Sequence, residues 1–272
     1  ECAGDAAERP GMRTKCDGEA AEGPAACGGA AVPPAFITGV EFSCKDGEGK
    51  YHILGYRFDP SGEPIRRAVQ QVLDSEGRID VVVNNAGFGI SGAVEFTQTE
   101  EAQRQFDVNF FGTVRVCRAV LPIMRKQGSG RIINMSSVAA PIPIPFQAFY
   151  SASKAAILAY SLALQSEVRP FGIRVCAIMP GDVATGFTAA RAKETAGDDE
   201  YGGRISRGVA VMEHDEQTGI PAEKAGAFAA DKALRKKPPV ACTLGGKYKL
   251  FNLLARLLPT GVLVYLVGKI YG

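Results

Sequence analysis

The chain has 272 residues, enough for one large α/β domain but not for two. Its formal net charge is +2, with acids and bases mixed along most of its length, so we expect no nucleic-acid partner. Seven cysteines form no metal-ligand spacing, and their odd number argues against a closed disulfide framework. Without a signal sequence or a run of about 18 apolar residues, the chain is predicted to be cytoplasmic, with no metal and no spanning helix.

The first 60 residues contain three segments of different composition. Residues 1–34 are rich in Ala, Gly and Pro and show no helical or strand period, which predicts a disordered extension. Residues 35–39, which end at Thr38-Gly39, resemble the first strand and opening turn of a dinucleotide-binding fold. Only residues 40–50 separate that turn from the apolar segment 51–59, whereas a βαβ unit takes about 30 residues. We therefore expect a shortened first βαβ unit, or an antiparallel hairpin around Asp46-Gly47.

A regular helix and strand pattern begins at Ser61. Ser61 can cap a helix that ends at Gly77. Residues 79–83, apolar except for Asp80, predict a strand of the kind that is covered on both faces. Asn84-Asn85-Ala86-Gly87 follows that strand. Taken alone, this tetrapeptide is only a turn signal, so its position after the strand is what makes it informative.

Residues 97–125 predict one long helix. Thr97 and Glu100 have the spacing of a capping box at its start. Asn109 lies off the apolar stripe, and an asparagine inside a helix often marks a bend or a bound water.

The middle of the chain alternates strand and helix. Strands at 131–136 and 173–179 flank a helix at 150–168, which predicts a parallel sheet with right-handed crossovers. Ligands bind at the carboxyl ends of such strands, where Gly87, Ser137 and Pro180-Gly181 all fall.

Tyr150 and Lys154 are four residues apart, so one helical face presents both side chains. An ammonium beside a phenol stabilises the phenolate, and the hydroxyl of Ser137 could bond the same substrate oxygen. This set suits polarisation of a carbonyl. The spacing alone is weak, because Tyr265 and Lys269 repeat it in the tail without a preceding serine strand.

Four motifs in order resemble the short-chain dehydrogenase/reductase family over roughly residues 51–230. They are Asn84-Asn85-Ala86-Gly87, Asn109, Ser137 thirteen residues before Tyr150 with Lys154, and Pro180-Gly181-Asp182-Val183-Ala184-Thr185. The resemblance implies that Tyr150 is the acid/base, that Lys154 lowers its pKa and holds the nicotinamide ribose, and that Asn109 anchors a water on the proton path. It also implies that Ser137 and Gln147 contact the substrate with Tyr150. The cofactor residues implied are Thr38, Gly39, Asp59, Asn85, Ala86, Gly87, Tyr150, Lys154, Pro180, Gly181, Val183 and Thr185.

The phosphate-binding corner departs from the family. There, Thr-Gly is followed by glycines four and six positions after the first glycine, which let backbone amides approach the pyrophosphate. Ser43 and Lys45 occupy those positions here, and the residue that distinguishes NAD from NADP falls in the shortened segment. A second hypothesis is therefore a cofactor-deficient homologue that acts as a binding or scaffold module.

The C-terminal third combines a polar segment with an apolar tail. Residues 187–218 have the composition of a mobile flap, with His214 as a surface residue, and 222–237 predict an alanine-rich helix. The tail, 247–272, carries four basic residues and no acid among many apolar ones. It predicts a helix pair on an anionic membrane surface, a lid over an apolar pocket, or a subunit contact.

These observations predict a single doubly wound parallel-sheet, Rossmann-like α/β domain over 35–240, with its first βαβ unit truncated. Residues 1–34 form the extension, and 241–272 form a lid or a membrane-surface segment. The resemblance implies an NAD- or NADP-dependent oxidoreductase, active as a homodimer or homotetramer, that interconverts an alcohol and a carbonyl. The proline-rich segment before Gln147 and the apolar tail favour a steroid-like, retinoid-like or lipid-like substrate. A membrane-surface protein without a cofactor is the third hypothesis.

Overall fold

A computed structural model describes residues 43–46, 49–52 and 63–272, and the side chains from Ile65 onward. The strands are β1 (Ser43–Asp46), β2 (Gly49–His52), β3 (Val81–Asn84), β4 (Ile90–Ser91), β5 (Gly130–Met135), β6 (Ile173–Pro180), β7 (Val183–Ala184), β8 (Ala192–Lys193), β9 (Ile220–Pro221) and β10 (Ala241–Leu244). The helices are α1 (Glu63–Glu76), α2 (Thr99–Phe106), α3 (Gly112–Gln127), α4 (Ala148–Val168), α5 (Arg204–Gln217), α6 (Ala222–Leu234), α7 (Gly246–Leu257) and α8 (Thr260–Tyr271).

A parallel sheet with strand order β10-β6-β5-β3 forms the centre of the fold. Apolar side chains of α1, α3 and α4 pack on one face, around Ile132 and Val175. Phe228 and Ala233 of α6 pack on the other face, around Ile133 and Ile178. The predicted doubly wound α/β fold is therefore confirmed. Coverage on both faces explains why consecutive residues of β5 and β6, Ile132-Ile133 and 175–179, are apolar and buried.

The two short strands β1 and β2 pair with each other in antiparallel orientation, with Ser43 opposite His52 and Asp46 opposite Gly49. This is the hairpin that the Asp46-Gly47 sequence allowed, so residues 51 and 52 belong to a hairpin rather than to the parallel sheet. The predicted extension 1–34, the strand 35–39 with Thr38 and Gly39, and Asp59 lie outside the described residues.

The helix predicted over 97–125 differs from the structure in two ways. It begins at Thr99 with Gln98 as its N-cap, and no side chain caps it. The hydroxyl of Thr97 instead donates to the Ala93 oxygen at 2.9 Å, so the predicted capping box is wrong. The helix is also interrupted by a π-helical turn, Asp107–Phe111, which contains Asn109. Such turns are frequent at functional sites.

The segment predicted as a flap contains the helix α5. Its start is fixed by Asp198, whose carboxylate accepts from the main chain and the hydroxyl of Ser206. Ile205 and Met212 of α5 are buried in a cluster with Phe146, so this part of the segment is packed. His214 is exposed, as predicted. The tail forms α7 and α8, and no helix in the described part of the chain is long and apolar enough to span a bilayer.

Candidate active site

The carboxyl ends of β3, β5 and β6 bring the central motifs to one edge of the sheet. Gly87 follows β3, Ser137 follows β5, and Pro180 ends β6. The main chain joins two of them, because Val138 donates its N–H to the Pro180 oxygen at 3.0 Å. The site therefore lies where the alternation of strands and helices predicts it.

Ser137, Tyr150 and Lys154 come together as their spacing predicts. Ser137 and Lys154 are buried, and the hydroxyls of Ser137 and Tyr150 are hydrogen-bonded. The Lys154 ammonium lies 5.7 Å from the centre of the Tyr150 ring and donates to the Met135 oxygen at 2.9 Å. A second bond holds the helix to the strand, since the Ser136 hydroxyl donates to the Lys154 main-chain oxygen at 2.8 Å.

The pKa of Tyr150 is raised, not lowered, so the prediction that Lys154 makes this phenol more acidic is wrong. Burial raises the pKa of Tyr150 to about 12 and outweighs the hydrogen bond with Ser137, which acts in the opposite direction. Burial also lowers the pKa of Lys154 to about 8. Tyr150 therefore holds its proton at neutral pH, which is the state that a general acid requires.

Asn109 is fully buried in the π-helical turn. Its Oδ1 accepts from the Phe88 N–H at 3.0 Å, and its Nδ2 donates to the Phe88 oxygen at 3.0 Å and to the Ser153 hydroxyl at 3.1 Å. Asn109 thus joins the loop after β3 to the helix that carries Tyr150 and Lys154. These contacts occupy both donors of the Asn109 side-chain amide and its oxygen. The water that the family resemblance implies stays a prediction.

The loop from Pro180 to Thr185 is held from outside by α7. The Tyr248 hydroxyl donates to the Asp182 carboxylate, and a Cβ at Gly181 would overlap the Tyr248 ring. Burial raises the pKa of Asp182, and the bond from Tyr248 opposes this rise. Val183 belongs to β7, which pairs with β9. Thr185 is exposed and accepts from the Phe187 N–H at 3.2 Å.

Gln147 is buried at the start of α4, and its Nε2 donates to Met212 Sδ of α5 at 3.0 Å. Its predicted contact with substrate would compete with this bond. The preceding residue, Phe146, has a φ of +59°, which is strained for a side chain of this size. Phe146 is held there by its packing on Ile205 and Met212.

Three residues next to Tyr150 were not predicted. The Phe187 ring lies 5.6 Å from the Tyr150 ring, and the Arg191 guanidinium lies 5.7 Å from the Phe187 ring. Arg191 pairs with Glu216 of α5. The polar composition of 187–218 predicts a mobile flap, and no local pattern in it indicates a buried ion pair.

The described residues fit one end of a nicotinamide cofactor. A Cβ at Gly87 would stand 3.1 Å from Asn109 Oδ1 and 3.4 Å from Lys154 Nζ, so only glycine keeps this surface open. Ala86 is half-buried beside it, and Asn85 is exposed at the end of the strand. Lys154, Gly87 and the Pro180 loop would hold the nicotinamide and its ribose. Thr38, Gly39 and Asp59, implied for the other end, lie outside the described residues.

Comparison with known proteins identifies the family. The model of the short chain dehydrogenase family matches residues 43–196. A 3-ketodihydrosphingosine reductase of Bacteroides thetaiotaomicron is 45% identical over 183 residues, which cover 66% of this chain and 68% of that protein. Dehydrogenase/reductase SDR family member 7B of Xenopus laevis is 36% identical over 46% of this chain and 39% of its own length.

Solved structures agree with the sequence comparison. A short-chain dehydrogenase from Streptomyces avermitilis aligns with a TM-score of 0.63 and 32% identity, over 74% of each chain. A homologue from Burkholderia phymatum in complex with NAD shares the fold, with a TM-score of 0.61 and 22% identity over 73% of each chain. The chain therefore belongs to the short-chain dehydrogenase/reductase family and is an NAD(P)-dependent oxidoreductase.

Proposed function

We propose that the protein reduces the ketone of a long-chain lipid to a secondary alcohol. The observation that carries this proposal is the placement of Ser137, Tyr150 and Lys154 together at the carboxyl edge of the sheet. Burial there raises the pKa of Tyr150 to about 12, so its hydroxyl keeps its proton. A hydroxyl that keeps its proton is suited to giving it to the oxygen of a reduced carbonyl. The 45% identity to a 3-ketodihydrosphingosine reductase supports a lipid in preference to a steroid or a retinoid.

Each residue of the site has a part in this reaction. Ser137 and Tyr150 bond the carbonyl oxygen, which polarises the carbonyl and fixes its orientation. Lys154, Gly87 and the Pro180 loop would hold a nicotinamide cofactor, which would supply the hydride. Tyr150 then donates its proton to the oxygen, and Lys154, through the family resemblance, holds the ribose and passes a proton back to Tyr150. The family resemblance implies that Asn109 would anchor the water through which that proton is replaced.

We also propose that the protein meets its substrate at the cytoplasmic surface of a membrane. Long-chain ketones partition into bilayers, and the exposed large apolar side chains of the described residues concentrate on α7 and α8. They are Leu250, Phe251, Leu253, Leu254, Leu257, Val262, Val264, Tyr265, Leu266 and Ile270. Lys247, Lys249, Arg256 and Lys269 are exposed among them, and no acid occurs from 246 to 272. This combination favours an anionic lipid surface over a lid, which would bury its apolar face.

The family resemblance further supports a homodimer or homotetramer. A subunit contact through α7 and α8 would bury the same apolar side chains, so it competes directly with the membrane proposal. The surplus of basic residues favours the membrane, because two copies of an acid-free surface would repel each other.

The reaction is tested with purified protein, 3-ketodihydrosphingosine in anionic vesicles, and either NADPH or NADH. We expect the alcohol to form, measured by mass spectrometry, with one of the two cofactors preferred. A Tyr150→Phe variant is the control for background reduction. Binding of cofactor without any alcohol product would contradict the substrate class. Absence of cofactor binding would instead favour the binding-module hypothesis.

A further inference from the structure

A guanidinium is buried one aromatic ring away from Tyr150. The Arg191 side chain is 0% exposed, and its Nη2 pairs with the Glu216 carboxylate. The other Glu216 oxygen accepts from the Thr188 hydroxyl at 2.7 Å. Nε and Nη1 of Arg191 have no hydrogen-bond partner in the described part of the chain, although both are buried.

The position of Arg191 places it at the reacting end of the site. Its guanidinium lies 5.7 Å from the Phe187 ring, which itself lies 5.6 Å from the Tyr150 ring. A Cβ at Gly89 would stand 3.6 Å from Arg191 Nε, so the guanidinium also borders the loop that carries Gly87. This loop runs on into β4, which pairs with β8 immediately after Arg191.

Unpaired donors in this position are energetically costly. Arginine cannot lose its charge in a protein, so burial cannot be relieved by deprotonation. Each buried N–H without a partner costs about 1–3 kcal/mol. Glu216 balances the charge and leaves the pair neutral, yet it satisfies only one of the three nitrogens. A neutral ligand with an acceptor oxygen would satisfy the remaining donors without adding an unbalanced charge.

We propose that Arg191, held by Glu216, forms a subsite that binds a hydroxyl oxygen of the substrate near its reacting carbonyl. The inference rests on the proposed function and specifies its substrate: a long-chain ketone with a hydroxylated polar head. 3-Ketodihydrosphingosine has this character, since the carbon next to its ketone carries an amine and the carbon after that carries a hydroxyl. A site built around polar contacts rejects analogues that lack the matching group far more strongly than an apolar pocket rejects a size change.

The experiment compares two ketones of equal chain length in the same vesicles: 3-ketodihydrosphingosine, and a plain ketone that keeps its amine and lacks only its hydroxyl. We expect the wild-type protein to prefer the first by about 10⁴-fold in kcat/KM. Arg191→Met should remove most of this preference and change turnover of the plain ketone by less than about threefold. Arg191→Met alone leaves the largely buried Glu216 carboxylate without its partner. If that variant does not fold, the double variant Arg191→Met with Glu216→Gln, which has no such carboxylate, replaces it in the experiment. Arg235→Met, which removes an exposed ion pair with Asp231, is the matched control.

Equal losses on both ketones, or no preference in the wild-type protein, would overturn the subsite. A binding measurement tests the subsite independently of the proposed reaction. The affinities of the two corresponding alcohols are measured by calorimetry in detergent micelles, without turnover. The alcohol that corresponds to 3-ketodihydrosphingosine carries a second hydroxyl. If the wild-type protein binds this alcohol more tightly and Arg191→Met does not, the subsite is supported even if no ketone is reduced. Equal affinities for the two alcohols would overturn it whatever the kinetics show.

Discussion

Asn109 holds both main-chain polar groups of Phe88 with one side-chain amide, accepting from the N–H at 3.0 Å and donating to the oxygen at 3.0 Å. The loop after β3 is thereby fixed to the π-helical turn. The same amide reaches Ser153 of α4, so its position also bears on Tyr150 and Lys154. A buried asparagine in this position links the two halves of the candidate site.

Replacing Asn109 with leucine should lower the free energy of unfolding by roughly 1–3 kcal/mol, because the Phe88 N–H loses its partner. The Phe88 oxygen keeps a bond from Gln105 Nε2 at 3.1 Å, which limits the loss. Urea denaturation followed by circular dichroism measures the change. Thr113→Val, which removes only a bond to the Asn109 main-chain oxygen, should cost less. Equal stability of Asn109→Leu and the wild-type protein would show that the hydrogen bonds between Asn109 and Phe88 do not stabilise the fold.

Tyr150→Phe should abolish turnover and leave the fold intact, because only the phenolic hydroxyl is removed. Tyr160→Phe, in the same helix, is the control and should retain activity. The rate of reduction is followed by the loss of NAD(P)H absorbance. Activity of Tyr150→Phe within about tenfold of the wild-type rate would remove Tyr150 from the role of acid.

Lys154 should make stability depend on pH between about 8 and 10. The pKa of Lys154 is lowered from 10.5 to about 8 by burial, so the unfolded chain binds the proton more tightly in this range. Stability is then full above the unfolded pKa, decreases as the pH falls from 10.5 to about 8, and is constant below that, with a total loss on the order of 3 kcal/mol. In Lys154→Met this slope should disappear, whereas replacement of the exposed Lys126 by methionine should preserve it. Parallel slopes in both variants would assign the dependence to other groups.

The parts of the site that could be predicted are those set by local pattern. Tyr150, Lys154 and Ser137 follow from helical spacing and from the end of an apolar strand, and the parallel sheet follows from the alternation around them. Arg191 and Tyr248 could not be found in this way, because their contacts join segments that are distant in the chain. Arg191 meets Glu216 across 25 residues, and Tyr248 meets Asp182 across 66. Such pairings depend on tertiary packing, which no short period encodes.

The pKa of Tyr150 was mispredicted for a related reason. The sequence shows that Lys154 is one helical turn away, but it does not show how deeply either group is buried. Desolvation is the larger effect for both, and it raises the pKa of the phenol and lowers that of the amine.

The protein should bind its cofactor more weakly than other members of this family do. The positions of the two later glycines hold Ser43 and Lys45, and these residues belong to the hairpin strand β1. Each lost charge-assisted contact to a phosphate weakens binding by about 1.5–3 kcal/mol. Titration with NADPH or NADH, followed by cofactor fluorescence, should therefore give affinities weaker than low micromolar. Inserting a helix-strand-helix segment with the glycine motif between Gly39 and Tyr51 should tighten binding. Low-micromolar affinity of the unmodified protein would show that residues 40–50 cradle the phosphates.

The apolar surface of α7 and α8 should bind anionic vesicles at low salt and release them as ionic strength rises. Leu253 and Leu257 are 53% and 71% exposed, so Leu253→Asp with Leu257→Asp should weaken binding without disturbing the core. Each leucine contributes about 2 kcal/mol of apolar burial on insertion, and each introduced acid repels the lipid surface. Val94→Asp, at an exposed apolar residue outside the tail, is the matched control. Flotation with phosphatidylserine and phosphatidylcholine vesicles measures the effect. Equal binding to both lipids would exclude charge recognition. A wild-type oligomer that the double variant dissociates, together with no vesicle binding, would assign this surface to a second copy of the chain.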